Sequence, residues 1–291
     1  MQTILLVGGT GYIGKNLEQF LLDKGYSVKI LTRNPVKDNH VLWNPEKLMV
    51  ESEKCQDIQV IVNLCGEGIS KKRWTNEQRQ LLIDSRVEVT KSLFEMRHYF
   101  PKLQHYVSAS GITAYGFDDG LTEHQETDNY GTDFLSQLVK KWEEAADMFQ
   151  KTVTVSKLRI AVVFEWNIGA LKQMSNPIKM GIGSPLGSGK QQIPWVHITD
   201  LVRLIEFVIE NKLEGTFNTN AANHSNEEIT RAIAKKLKKR LWMPNVPAFI
   251  LKIVLGKLSE MVLFGAKASN EKIKQKGFSF SVDSLGKALD E

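Results

Sequence analysis

Residues 8–14 read Gly8-Gly9-Thr10-Gly11-Tyr12-Ile13-Gly14. Two registers of one spacing fit this run: Gly9-x-Gly11-x-x-Gly14 and Gly8-x-x-Gly11-x-x-Gly14. Glycines there permit a tight turn and let backbone N–H groups approach a pyrophosphate. A following helix N-terminus adds partial positive charge toward the anion. A glycine loop alone is weak evidence, so its context decides. Next comes Leu31-Thr32-Arg33-Asn34, with Arg33 nineteen residues past Gly14, where an NAD site would carry Asp or Glu. The guanidinium of Arg33 can instead form a bidentate pair with a 2′-phosphate. Thr32 and Arg33 thus point to NADP (NADPH) as the cofactor; the plainer reading of Arg33 is a solvated side chain at a strand end.

The elements that must position this loop are legible. Thr3 to Val7 is a short apolar run suited to a buried parallel strand. Leu17, Phe20 and Leu21 repeat at helical spacing, and Gly25 predicts the helix stop. Ser27 to Leu31 and Val60 to Leu64 read as strands, followed by a long amphipathic helix from about Asn76 to Tyr99. His105 to Ser108 is the next strand, then a helix from about Asp133 to Gln150 and a strand from Val153 to Val163. Alternation of this kind predicts a doubly wound parallel sheet with right-handed crossovers. Beyond Phe164 the pattern changes. Asn167 to Gln191 is glycine-rich, Thr199 or Asp200 caps a helix running through Ile209, and Thr216 to Thr219 suits a further strand. From Asn226 onward the chain reads as mostly helical, with a helix restarting at Ala248 after Pro247.

Further short motifs follow in order: Val62-Asn63-Leu64-Cys65-Gly66-Glu67, Lys72-Arg73-Trp74, Asp84-Ser85-Arg86, Ser108-Ala109-Ser110, Tyr115-Gly116 and Lys141-Trp142-Glu143. Pro185-Leu186-Gly187-Ser188-Gly189, Trp195-Val196-His197-Ile198-Thr199-Asp200 and Gly277-Phe278-Ser279-Phe280 complete the set. With the glycine loop and Leu31 to Pro35, the chain resembles the short-chain dehydrogenase/reductase superfamily in its extended or atypical class. It is most similar to a branch regarded as NAD(P)-dependent nucleotide-sugar epimerases, with a small C-terminal domain of unknown function. The resemblance implies an α/β fold: a Rossmann-type doubly wound parallel sheet with a small, mostly helical C-terminal lobe. Residues 1–165 would form the NADP-binding core, with 192–222 returning to it. Residues 166–191 and 223–291 would form the substrate-side segment and the lobe.

The resemblance also assigns residues. Gly8, Thr10, Gly11, Tyr12, Ile13 and Gly14 would hold the pyrophosphate, and Thr32 and Arg33 the ribose phosphate. Asn63, Leu64, Cys65 and Gly66 would lie beside the adenosine. Arg86 would face the cofactor; its plainer reading is a surface ion pair with Asp84 or Glu88. Cys65 stands where the family usually has Ala and reads as a small buried hydrophobe, since no His lies nearby in sequence to activate it. The superfamily's Tyr-x-x-x-Lys pair is absent. The residues four beyond the six tyrosines are Asn16, Ile30, Leu103, Ser110, Asp119 and Phe134. Aligning on Glu143 puts Leu135 and Val139 at the Tyr and Lys positions, and neither can move a proton. Ser108 and Ser110 match the family's serine strand and, with Tyr115, are the candidate catalytic residues. Tyr115 is the nearest phenol, either a substitute acid or loop packing. His197, between apolar neighbours, reads as structural.

Two functions stay open. One is an NADP-dependent oxidoreductase or epimerase-like enzyme acting on a small molecule, a nucleotide sugar or a carbonyl compound. The other is a non-catalytic NADP-binding sensor or assembly factor. Composition sets the outer bounds. The 291 residues are 42% hydrophobic and 24% charged, which excludes a disordered or fibrous chain. Net charge is +5 and the isoelectric point is near 9.0. The Lys235 to Arg240 cluster reads as a solvated helix face, and no nucleic-acid motif accompanies it. Cys55 and Cys65 make neither a disulfide framework nor a zinc site, so no metal is expected and a reducing cytoplasm fits. No signal peptide is read at the N-terminus. The best apolar stretch, Val246 to Leu255, is broken by Pro247 and Lys252, so no membrane partner is expected. A homodimer is left open.

Overall fold

The computed structural model describes residues 2–70, 72–118, 120 and 122–290. In chain order β1 (Thr3–Val7), α1 (Tyr12–Asp23), β2 (Ser27–Thr32), β3 (His40–Asn44), β4 (Met49–Val50) and β5 (Ile58–Asn63) come first. Then follow α2 (Asn76–Asp84), α3 (Val87–Glu95), β6 (His105–Gly111), β7 (Glu123–His124), α4 (Phe134–Asp147), β8 (Thr154–Ile160), β9 (Val162–Phe164) and α5 (Gly169–Lys179). The remainder is β10 (Gln192–His197), α6 (Ile198–Glu210), β11 (Gly215–Asn218), β12 (Ala222–Ser225), α7 (Asn226–Lys236), α8 (Ala248–Leu255), α9 (Ser259–Leu263), β13 (Lys267–Ala268), α10 (Glu271–Gln275) and α11 (Leu285–Asp290). Asp119, the residue four beyond Tyr115, lies outside the described residues.

Eight strands form the main sheet in the order β11-β8-β6-β5-β1-β2-β3-β4, parallel except for β4. β1 is wholly buried, as a parallel strand covered on both faces must be. Its residues alternate between two cores. Ile4 and Leu6 join Leu17 and Leu21 of α1 and the apolar face of α6. Leu5 and Val7 join Leu93 of α3 and, through Tyr106, Phe149 just past α4. The order reverses between β1 and β5, so the switch-point crevice opens at their C-terminal ends. Gly25, at φ +85°, closes α1: its N–H donates to Leu22 O and that of Tyr26 to Leu21 O.

A second sheet, β12-β10-β9, carries Trp195 stacked on Phe164 at 5.2 Å over a separate core with Ile229 and Ile233. The C-terminal chain is stapled to this side by asparagines. Asn220 and Asn223 donate to Ala268 O, and Asn218 donates to Ser269 O.

Four local expectations change. The helix expected over Asn76 to Tyr99 is two helices parted at Ser85 and Arg86, where the Arg86 guanidinium donates to Leu82 O and Glu67 O. The strand expected from Val153 to Val163 divides at Ala161 between the two sheets, where Ala161 N–H donates to Thr219 Oγ1. The glycine-rich segment contains α5, with Pro177 near its end. His197, not Thr199 or Asp200, caps α6: its Nδ1 accepts from Thr199 N–H. Asp200 instead accepts from the N–H groups of Ser281 and Val282 at 3.0 and 2.8 Å, anchoring the tail.

Candidate functional site

The glycine loop joins β1 to α1 with Gly11 as N-cap. Its glycines differ in what requires them. Gly8 sits at φ +80°, and a Cβ there would lie 2.9 Å from Leu64 C. A Cβ on Gly14 would lie 2.5 Å from Gly9 Cα. The fold itself needs these two. Gly11 has an ordinary φ of −74° and is exposed, and a Cβ there would approach only Gly8 O, at 3.3 Å. No side chain caps α1 and no acid occupies its first turn. Thr10 is exposed beside it, and Tyr12 and Ile13 are half-buried. The Tyr12 hydroxyl is buried with no partner among the described residues. An uncapped twelve-residue helix behind an open glycine fits a pyrophosphate.

At the end of β2, Thr32 Oγ1 accepts from Asn34 N–H, and Arg33 is exposed. The Arg33 guanidinium makes no hydrogen bond or ion pair among the described residues. Asn63 is fully buried, and its amide donates to Thr90 Oγ1 and Tyr106 OH at 3.1 and 2.9 Å. Its Oδ1 accepts from Cys65 N–H, so Asn63 shapes the loop from within. Leu64 N–H donates to Val7 O. Cys65 is half-buried, not the buried hydrophobe expected, yet desolvation pushes its thiol up to about 12 against the pull of Arg33 and Arg86, which leaves it protonated at neutral pH. Gly66 lies under Arg86, whose Cζ would be 2.8 Å from a Cβ there. Arg86 is buried and pairs with neither Asp84 nor Glu88. It donates to Leu82 O and Glu67 O at 3.1 and 3.0 Å and lies over the Trp142 ring, and burial lowers its pKa to about 10.

At β6 and β8 the polar groups close on one another. Ser108 donates to Ala109 O. Ser110 donates to Glu143 at 2.5 Å, and Tyr130 donates to its other oxygen at 2.7 Å. Arg159 completes a two-pronged pair with Glu143 at 2.9 and 3.1 Å. Burial raises the Glu143 carboxyl, but Arg159, Ser110 and Tyr130 together hold it below the usual range. Tyr115 donates to Asn218 Oδ1 at 2.6 Å and stacks on His124 at 5.0 Å, and burial raises its phenol to about 12 despite Arg159. Ser108, Ser110 and Tyr115 are therefore all engaged inward. Leu135 and Val139 are buried. A Cβ on Gly111 would lie 3.0 Å from Val139 and 3.2 Å from Thr113 Oγ1. Thr113 is the polar group beside this slot that sequence reasoning missed; its position in Gly111-Ile112-Thr113 was the available signal. No three-residue cluster suited to a metal occurs among the described residues.

Comparison with known proteins finds whole-length relatives. Residues 4–139 match the NAD dependent epimerase/dehydratase family, and residues 246–291 match a domain of unknown function, DUF1731. An epimerase family protein of Staphylococcus haemolyticus is 33% identical over 301 residues, spanning 100% of this chain and 99% of that protein. The crystal structure of a human epimerase family protein with NADPH superposes with a TM-score of 0.89 at 30% identity, covering 99% of this chain and 98% of that one. The UDP-glucuronic acid 4-epimerase of Bacillus cereus, solved with UDP-glucuronic acid and NAD, shares the fold: TM-score 0.78, 18% identity, 99% and 97% coverage. On its whole-length likeness to these relatives, and on a glycine loop set at the switch point of a Rossmann-type sheet, the chain belongs to the epimerase family of extended short-chain dehydrogenase/reductases.

Proposed function

We propose that the chain is an NADP(H)-dependent enzyme of the oxidoreductase or epimerase type, acting on a nucleotide sugar or a related carbonyl compound. The observation that carries the reading is Arg33, an exposed guanidinium without an internal partner at the end of β2, in a position with no carboxylate. The human relative solved with NADPH supports the same cofactor, and the Bacillus cereus neighbour supports the substrate class. A nicotinamide cofactor bound here would give or take a hydride. The uncapped N-terminus of α1 would hold its pyrophosphate, Arg33 its 2′-phosphate, and Gly66 leaves room for Arg86 beside the adenosine.

Ser108, Ser110 and Tyr115 act in this reading as positioning residues, fixing the C-terminal ends of β6, β8 and β11. Thr113, whose hydroxyl lies with Val139 beside Gly111, is the group this reading assigns to the substrate. Calorimetric titration tests the cofactor assignment. NADPH should bind at least about tenfold tighter than NADH, the ~1.4 kcal/mol of one charge-assisted contact, and Arg33→Ala should erase the difference. Equal affinities in the parent protein would overturn the assignment.

A further inference from the structure

The C-terminal lobe presents an apolar surface that nothing above employs. α8 reads Ala-Phe-Ile-Leu-Lys-Ile-Val-Leu, yet only Leu251 of it is buried. Phe249 is 63% exposed, Ile250 40%, Ile253 73% and Val254 57%. At roughly 100° per residue these four fill one arc of about 140°, with Leu251 outside it facing the protein. Trp242, on the approach to α8, is 71% exposed. Its indole N–H donates to Gly181 O at 2.8 Å, which sets it beside exposed Met180 and Ile182. Exposed large apolar side chains of this number mark an interaction site.

Charge identifies the occupant. Residues 229–259 contain eight Lys and Arg and no Asp or Glu. Lys238, Lys239, Arg240 and Lys252 are exposed. A second copy of the chain would bring the same basic segment against itself, a like-charge arrangement that opposes association. An apolar helix face, an exposed indole and a basic flank together match a helix lying in a lipid interface. We propose that α8 and Trp242 form a docking surface for an anionic phospholipid bilayer, with α8 in the interface plane. The sequence expectation of no membrane partner rested on the lack of a spanning segment. Among the described residues no helix is long and apolar enough to cross a membrane, and interfacial attachment requires none.

Vesicle flotation of the full chain tests this. The protein should float with phosphatidylcholine vesicles containing phosphatidylglycerol, float far less with phosphatidylcholine alone, and be released by molar salt. The Phe249→Ser/Ile253→Ser double variant should weaken binding by about tenfold or more, and so should Lys238→Glu/Lys239→Glu. Unchanged thermal melting and NADPH affinity in both variants would show that the fold and the cofactor site are intact. Absence of flotation with either vesicle overturns the proposal, as does flotation that neither variant diminishes. A dimer in sedimentation analysis that Phe249→Ser/Ile253→Ser dissolves would assign the face to a second copy and overturn it too.

Discussion

The two halves of the main sheet treat their polar groups in opposite ways. Around β1, α1 and β2 the groups are left open: an uncapped helix, the bare backbone of Gly11 and the unpaired Arg33. Around β6, α4 and β8 they are closed: Ser110, Tyr130, Glu143 and Arg159 saturate one another. Buried polar groups lower the stability of a fold unless they are paired, whereas exposed ones can await a ligand. The open half therefore reads as a binding surface. The closed half reads as a truss that sets the ends of its strands.

The largest expected effect lies in the truss. Glu143→Ala leaves the Arg159 guanidinium buried without its acid and should cost about 3–5 kcal/mol in urea denaturation. Glu143→Leu combined with Arg159→Met removes both charges and should recover most of that loss. The pH dependence has a definite sign. Because the folded carboxyl titrates below its ordinary value, its stabilisation is complete above the unfolded value and fades as pH falls through the folded one. The parent should thus lose stability on acidification more steeply than Glu143→Ala. A loss below about 1 kcal/mol in Glu143→Ala would remove the basis for calling this half closed.

A smaller and opposite pair of effects belongs to the glycine loop. Gly14→Ala places a methyl against Gly9 Cα and should destabilise the fold by about 1–3 kcal/mol. A Cβ at Gly11 meets only Gly8 O, so Gly11→Val should cost no more than about 1 kcal/mol, the loss of a favourable N-cap residue. Its branch projects where a pyrophosphate would lie, and NADPH affinity should fall at least about tenfold. Melting curves and fluorescence titration of the two variants separate the roles. Retained NADPH binding in a folded Gly11→Val protein would contradict the loop assignment.

Legibility in the sequence follows the same division. The open half depends on local pattern: a strand, a glycine run, a helix and the residue that ends the next strand. These are short-range features: β1 and β2 came out with boundaries within a residue of those read, and α1 ends just ahead of Gly25. The closed half depends on partners far apart in the chain. Ser110 meets Glu143 across 33 positions, and Tyr115 meets Asn218 across 103. A serine in a strand carries no local sign of which hydroxyl will be engaged. The break in the expected long helix falls at Arg86, whose carbonyl partner at Glu67 lies 19 residues back and gives no local sign. The helix α5 hid behind its flanking glycines, although Leu171 and Ile178 face one core.

The smallest expected effect tests where the two halves meet. Cys65 lies between Arg33 of the open half and buried Arg86, and both cations pull its thiol toward ionisation. Burial outweighs them and holds the thiol near 12, so almost no thiolate exists at neutral pH. The side chain then acts through its size alone. Cys65→Ala should keep NADPH affinity within about twofold and stability within about 1 kcal/mol, the range of a small, volume-conserving change. Alkylation of the folded protein at Cys65 should be much slower than that of a free thiol, and faster once urea unfolds the chain. A tenfold loss of NADPH affinity in a stably folded Cys65→Ala protein would mean that the sulfur itself contacts the ligand. The open surface would then extend from Arg33 past the end of β5 as far as Gly66.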